Sequence, residues 1–126
     1  VAITKLTKKA KTHHQVGALP LRLDDGEMRV LLITSRGSRR WTIPKGWPMR
    51  GFKDHKAAER EALEEAGVVG RVSKELAGTY QYWKKGVSTL HLCEVAVYLL
   101  HVERQLTDWR EKGQRVATWF SVLAAT

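Results

Sequence analysis

Residues 46–68 read GWPMRGFKDHKAAEREALEEAGV, and the second half of this stretch has the composition of a helix. Its alanines favour a helix from about Asp54 to Ala66, with Asp54 expected as the N-cap and Gly67 expected to end it. Within it, EREALEEAG holds four of the chain's 13 acidic residues, although the whole chain has a formal net charge of +9. A basic protein therefore concentrates carboxylates on one helix.

Three of these glutamates share one side of the predicted helix. At about 100° per residue, Glu61, Glu64 and Glu65 fall in a sector roughly 100° wide, and Glu59 lies outside it. Small or apolar residues occupy the side expected to face a sheet: Ala62, Leu63 and Ala66. Like charges three or four residues apart destabilise an exposed helix by about 0.2–0.5 kcal/mol per pair. The cluster is either a solvated acidic face balanced by basic neighbours or a site for Mg²⁺, a hard ion that takes oxygen ligands.

The residues around the glutamates resemble a known motif. Residues 46–68 are similar to the Nudix box, G-x5-E-x7-R-E-U-x-E-E-x-G-U, in which U is a bulky apolar residue. The matching positions are Gly46, Arg60, Glu61, Glu64, Glu65, Gly67 and Val68. Two positions depart from the motif, since Ala62 is small where U is expected and Phe52 replaces the first glutamate. The chain thus resembles the Nudix hydrolase family.

Within that family the chain resembles in particular the diphosphoinositol polyphosphate and diadenosine polyphosphate phosphohydrolases. The similar stretches are VLLITSRGSRRWTIPKG before the box, EEAGVVGRV across its end and LTDWREKGQRVATWFSV near the C-terminus. The resemblance implies an α/β (α+β) fold, a Nudix-type α/β/α sandwich with a mixed central sheet and the box as a loop and helix. Residues 1–14 are expected to form a basic N-terminal arm, and residues 15–126 a single domain whose C-terminal helix is incomplete. In the first strand, Pro20 argues for an edge or a bulge.

The family resemblance also implies a chemistry, the hydrolysis of a diphosphate linkage with Mg²⁺ as the cofactor and Mn²⁺ as its substitute. It implies that the metal is held by Glu61, Glu64, Glu65 and the backbone at Gly46. Glu64 and Glu65 are the candidates inside the box for accepting a proton from the attacking water, and Arg60 is expected to orient the glutamates. Glu111 is a candidate outside the box, with an ordinary surface charge as the alternative.

Phe52 raises a question about the activity. In the family, the glutamate at this position mostly shapes the loop before the helix. We therefore expect Phe52 to pack the loop differently while the metal site is retained; the rival interpretation is a weakened or lost activity.

Basic residues near the box suggest a highly anionic small-molecule substrate. The candidates for binding it are Arg39, Arg40, Lys45 and Arg50, with simple exposure as the alternative. The expected substrate is a diphosphoinositol polyphosphate or a dinucleoside polyphosphate, and Trp47, Trp83 and Trp109 are candidates for stacking on an adenine. Alternatives are a hydrolase of nucleoside triphosphates or RNA 5′ ends, and a binding or sensor module that has lost catalysis. The net charge permits a nucleic-acid partner without favouring one.

Cysteine usage and hydropathy give an expectation about the compartment. Cys93 is the chain's one cysteine, so no internal disulfide can form, which fits a reducing, cytoplasmic environment. The longest apolar run, VAVYLL, is far shorter than the ~20 residues that span a bilayer, so no membrane association is expected.

Overall fold

The computed structural model describes residues 12–37 and 39–125, in which the chain forms eight strands and two helices. In chain order these are β1 (His13–Asp24), β2 (Glu27–Thr34), β3 (Trp41–Thr42), β4 (Lys45–Gly46), α1 (Asp54–Ala66), β5 (Val68–Val72), β6 (Gly78–Lys85), β7 (Leu90–Gln105), β8 (Ala117–Ser121) and α2 (Val122–Ala125). Most of the expected N-terminal arm lies outside the described residues. Its last two residues, His13 and His14, belong to β1.

A mixed sheet forms the centre of the fold. Its main path runs β3-β2-β1-β7-β5, while β4 also pairs with β1, β6 with β7, and β8 with β2. The β1–β7 pair is parallel, with His13 opposite Cys93 and Leu21 opposite His101, and the other strand pairs are antiparallel. This architecture confirms the predicted fold class. In the described residues, α1 covers one face of the sheet, and the only other helix is the short α2.

Helix α1 packs closely on the sheet because its inner face is made of alanines. Four alanines are fully buried there: Ala57, Ala58, Ala62 and Ala66. They join a core that includes Val16, Leu31 and Leu100 from the strands. Leu63, which was expected to face the sheet, is only half-buried and lines two surface clefts instead.

The ends of α1 match the prediction, but its N-cap does not. Lys53 holds the cap position with an extended backbone (φ −67°, ψ 153°), and its side chain forms no capping hydrogen bond. Asp54 is the first helical residue, where its charge favours the positive end of the helix dipole. Gly67 ends the helix in the left-handed conformation (φ 68°), as predicted, and its N–H donates to the carbonyl of Leu63.

Pro20 lies in a strand that is paired on both sides, so the edge interpretation is wrong. β1 has β7 on one side, where Pro20 is opposite Leu100. On its other side, β4 pairs with residues 16–17 and β2 with residues 21–24. Pro20 therefore falls where the partner changes from β4 to β2, a position at which a missing N–H disrupts neither ladder.

Within the residues that the structure describes, no helix is long and apolar enough to cross a membrane.

Candidate metal and substrate site

The site begins where β4 meets the middle of α1. The carboxylate of Glu61 lies directly against the α-carbon of Gly46, so closely that a Cβ added there would be 2.4 Å from its Cδ. The backbone N–H of Lys45 donates a hydrogen bond of 3.3 Å to Oε1 of Glu65. β4 thus brings two backbone groups against two glutamates of the helix, and the absence of a side chain at Gly46 leaves room for the Glu61 carboxylate, which a Cβ would displace.

Glu61 and Glu65 form a pair that shares a hydrogen bond between their carboxyl groups. Such a bond requires one of the two to be protonated. Burial and the hydrogen bond from Glu61 raise the pKa of Glu65 to about 8, against the influence of nearby Arg115. Burial also raises the pKa of Glu61. Two carboxyl groups that resist ionisation side by side are suited to bind a cation, which would take the place of the shared proton.

Glu64 points away from this pair, toward the loop between β7 and β8. Its Oε1 accepts a hydrogen bond of 2.9 Å from Nη1 of Arg110, and its Oε2 lies 3.8 Å from Nε of Arg60. The arginines are the more exposed partners, since the Glu64 side chain is 16% exposed and the Arg110 side chain 77%. Arg60 therefore pairs with a glutamate, as predicted, but the helical sector does not gather all three carboxylates at one point.

The loop between β7 and β8 is docked on the C-terminal end of α1. The N–H of Leu106 donates to the carbonyl of Gly67 (2.7 Å), and the N–H of Glu111 donates to the carbonyl of Glu64 (3.0 Å). The ring of Trp109 lies against Gly67. This docking brings two charged side chains of the loop to the cluster, Arg110 at Glu64 and Glu111 near Glu61.

Arg115, which the sequence analysis did not single out, connects the parts of the cluster. Its Nε donates to Oε1 of Glu111 at 3.0 Å, and its Nη2 lies 4.0 Å from Oε2 of Glu65. Its side chain is only 12% exposed, and Nη1 donates to the carbonyl of Thr34. Glu111, 17% exposed and held by Arg115, is therefore not an ordinary surface charge. In the sequence Arg115 stands two residues before β8 in a polar stretch, and only the fold reveals that its side chain is buried.

The donors at Glu61 and Glu65 fit Mg²⁺. Within residues 12–37 and 39–125, no group of three His, Cys, Asp or Glu side chains stands close enough to hold one ion, because Glu64 is turned toward Arg110. Mg²⁺, however, usually takes one or two protein carboxylates and completes its shell with water and substrate phosphates. The two neighbouring carboxyl groups of Glu61 and Glu65 meet that requirement.

The candidate substrate-binding residues are placed differently. Lys45 is half-buried, and its ammonium lies 5.0 Å from the centroid of the Tyr82 ring. Burial lowers the pKa of Lys45, and the negative charge of Glu65 opposes this shift. Three arginines are exposed on the loops before β3 and after β4: Arg39, Arg40 and Arg50. The contacts described for these loops do not join them to the carboxylates, so their role stays a prediction.

Phe52 lies on the outer side of α1. It is 52% exposed and lines a cleft of about 330 Å³ together with residues of α1 and β5, among them Leu63 and Val68. Its backbone N–H closes a turn with the carbonyl of Met49. The cleft is lined by neither Glu61 nor Glu65, and retention of the metal site in the presence of Phe52 stays a prediction.

Comparison with known proteins gives a consistent result. The family model described as NUDIX domain matches residues 11–125. The chain is 35% identical over 114 residues to Nudix hydrolase 18, mitochondrial, of Arabidopsis thaliana, covering 85% of the chain and 63% of the relative. It is 34% identical over 99 residues to diphosphoinositol polyphosphate phosphohydrolase 3-beta of Bos taurus, covering 76% and 57%. The chain thus spans about half to two thirds of the length of these curated relatives.

Among solved structures, the C. elegans Ap4A hydrolase in a binary complex has the same fold, with a TM-score of 0.63 at 20% identity. The match covers 90% of this chain and 82% of that one.

Proposed function

Because the chain belongs to the NUDIX domain family, we propose that it is a Mg²⁺-dependent hydrolase that cleaves a diphosphate linkage in a highly anionic small molecule. Mn²⁺ is expected to substitute for Mg²⁺. The observation that carries the proposal is the Glu61–Glu65 pair set against Gly46. A buried carboxyl group beside a half-buried one raises the free energy of the metal-free protein, and a binding module without a metal has no use for such a pair.

In the proposed mechanism, Glu61, Glu65 and the backbone at Gly46 would hold the metal, and Glu64, whose Oε1 accepts from Arg110, is the third candidate ligand. Bound Mg²⁺ would neutralise charge on the diphosphate and favour in-line attack by water. Glu64 and Glu65 remain the candidates inside the box for the general base, and Glu111 is the candidate outside it. Arg60 orients Glu64, and Arg115 keeps Glu111 and Glu65 at a fixed separation.

The phosphate groups of the substrate are expected to contact cations near this pair. Lys45 is the candidate in contact with it, since its backbone N–H donates to Glu65 and the charge of Glu65 acts on its ammonium. Arg39, Arg40 and Arg50 would extend the positive surface on the neighbouring loops. The names of the bovine relative and of the C. elegans hydrolase favour two substrate classes, diphosphoinositol polyphosphates and dinucleoside polyphosphates.

The test is phosphate release from three substrate classes, namely diadenosine polyphosphates, nucleoside triphosphates and diphosphoinositol polyphosphates, with Mg²⁺ and with a chelator. Glu65→Gln should lower turnover by about 100-fold or more, because it removes a metal ligand and a candidate base. Glu59→Gln is the matched control, since Glu59 lies on the same helix but pairs outward with Lys56 at 3.5 Å. Its turnover should equal that of the wild type.

The results that would refute the proposal are equally specific. Wild-type turnover in Glu65→Gln, or turnover unaffected by chelation, would contradict the metal mechanism. Inactivity of the wild type on all three substrate classes would favour the alternative of a binding or sensor module. Activity confined to nucleoside triphosphates or RNA 5′ ends would select the other alternative. The cytoplasmic location stays a prediction, since several Arabidopsis relatives are named as mitochondrial.

A further inference from the structure

A cleft of about 250 Å³ lies between α1 and the loop that joins β7 to β8. The residues that line it are Arg60, Leu63, Glu64, Leu106, Trp109 and Arg110. Both arginines have a nitrogen atom near the Glu64 carboxylate, Nη1 of Arg110 at 2.9 Å and Nε of Arg60 at 3.8 Å. In the structure, Glu64 is thus the anion that the two guanidinium groups share.

The two arginines offer more positive charge and more donors than Glu64 uses. Each guanidinium group is positively charged and has several N–H donors, whereas Glu64 contributes a single negative charge. The side chains of Arg60 and Arg110 are 57% and 77% exposed, compared with 16% for Glu64. An anion can therefore approach both guanidinium groups from solvent, and the residues that line the cleft keep a net positive charge while Glu64 is paired.

Trp109 holds the two sides of this cleft together. It was a candidate for stacking on an adenine, but its ring packs on Gly67 so closely that a Cβ there would lie 2.3 Å from its atoms. The loop that carries Arg110 is therefore anchored to the helix that carries Arg60, which reduces the rearrangement needed to hold one ligand between them. The indole N–H of Trp109 is buried and has no acceptor among the described residues. A ligand oxygen that reached this N–H would supply the missing acceptor.

We propose that this cleft binds an oxyanion of the phosphate class, which replaces the Glu64 carboxylate between Arg60 and Arg110. Guanidinium groups hold phosphate through pairs of parallel N–H···O bonds, and a phosphate offers more charge and more acceptor oxygens than a carboxylate. Glu64, once released from Arg110, would be open to the metal that Glu61 and Glu65 are proposed to hold. This second step rests on the proposed function, whereas binding of the anion does not.

Binding of the anion and binding of the metal are then coupled through Glu64. Each event favours the state in which Glu64 has left Arg110, so an anion in the cleft should raise the affinity for Mg²⁺. By linkage, Mg²⁺ should raise the affinity for the anion by the same factor. Because the Arg110–Glu64 contact involves an exposed side chain, this factor should not exceed about fivefold.

The first experiment measures the binding of inorganic phosphate to the metal-free protein by calorimetry. Arg110→Ala should weaken phosphate binding about tenfold, because a charge-assisted hydrogen bond is lost. Arg104→Ala removes the same charge from β7 and should change the affinity by less than about twofold. Glu64→Gln should strengthen phosphate binding up to about fivefold, because the competing carboxylate is gone. Glu59→Gln is its matched control, since Glu59 is on the same helix and does not line this cleft.

Two results of this titration would overturn the inference. One is phosphate binding that is equally strong in Arg110→Ala and Arg104→Ala, and the other is equal binding in Glu64→Gln and Glu59→Gln. Either result would mean that phosphate responds to the net charge of the protein and not to the cleft. Because the titration requires neither metal nor turnover, its outcome is independent of whether the proposed function is correct.

The second experiment tests the coupling and the source of the anion. Mg²⁺ is titrated with and without saturating phosphate, and a Mg²⁺ affinity that phosphate does not raise in the wild type would overturn the coupling. Binding of a methylene analogue of ATP in the presence of Mg²⁺ is then compared in the wild type and Arg110→Ala. Weaker binding of both phosphate and the analogue in the variant assigns the cleft to a phosphate group of the substrate. Weaker binding of phosphate alone assigns it to a free anion.

Discussion

In the proposed mechanism Glu64 is a metal ligand, and Arg110 would then compete with the metal ion for it. Replacing Arg110 with alanine should therefore strengthen metal binding. In the structure, Nη1 of Arg110 donates to Oε1 of Glu64 at 2.9 Å, whereas Arg60 stands further off at 3.8 Å. This contact occupies Oε1 of Glu64, so that oxygen is open to a metal only after it leaves Arg110. Arg110→Ala removes the competitor, so the apparent Mg²⁺ affinity should rise.

The size of the effect follows from the exposure of the pair. Arg110 is 77% exposed, and ion pairs with an exposed partner typically contribute about 0.2–1 kcal/mol. The gain in Mg²⁺ affinity cannot exceed what the pair contributed, which sets an upper limit of about fivefold. The free energy of unfolding should fall by a similar small amount in the metal-free variant, since the same contact is lost.

Isothermal titration calorimetry of Mg²⁺ in the wild type, Arg110→Ala and Arg104→Ala would measure this effect. Arg104 is an exposed arginine on β7, and its replacement removes the same charge without touching Glu64. The difference between the variants therefore isolates the contact from the change in net charge. Arg110→Ala binding Mg²⁺ no more tightly than Arg104→Ala would refute the reasoning, and weaker binding would show that Arg110 positions Glu64 for the metal.

Two further predictions concern the Glu61–Glu65 pair. Gly46→Ala should weaken Mg²⁺ binding about tenfold, because the new Cβ would lie 2.4 Å from the Glu61 carboxyl group and displace it. The melting temperature should change little, since the Cβ meets only the flexible end of that side chain. Unchanged Mg²⁺ affinity in calorimetry would contradict this. A second prediction concerns the metal-free protein in the presence of a chelator. Folding raises the pKa of Glu65 from 4.5 to about 8, so the folded state holds a proton that the unfolded chain releases. The free energy of unfolding should therefore fall as the pH rises through about 8. This contribution to the free energy of unfolding is fully present below about pH 4.5. Thermal melts between about pH 4 and 9 would test it, and a melting temperature that does not change with pH would count against it.

Local patterns in the sequence were sufficient for helix α1 and for its contact with Gly46. Alanine spacing and Gly67 predicted α1 with its observed ends, because these signals act within a turn or two of the helix. The box motif predicted that Gly46 stands by the glutamates, and the contact with Glu61 agrees with it. The prediction that Pro20 marks an edge strand was wrong because the partner of β1 changes from β4 to β2 beside it. β4 has only two residues, and no periodicity in the sequence reveals it.

The rest of the site could not be predicted because residues distant in the chain decide it. A helical wheel places Glu64 beside Glu61, but Arg110, 46 residues further along the chain, draws its carboxylate away. Arg115 is buried only because the loop between β7 and β8 folds back on α1, and its link to Glu65 depends on that fold. Charge pairs between residues so far apart in the chain cannot be recognised from local composition.

Pairing β1 with β7 joins two segments that are far apart in the chain, since His13 lies opposite Cys93. Contacts between such distant segments are slow to form, because a long loop must close before they stabilise anything. During synthesis, β1, β2 and the whole of α1 leave the ribosome before the strand that completes the centre of the sheet. The nascent chain must therefore wait with apolar strands uncovered, and the contacts of Arg115 with Glu111 and Glu65 form only after residue 115 has been translated.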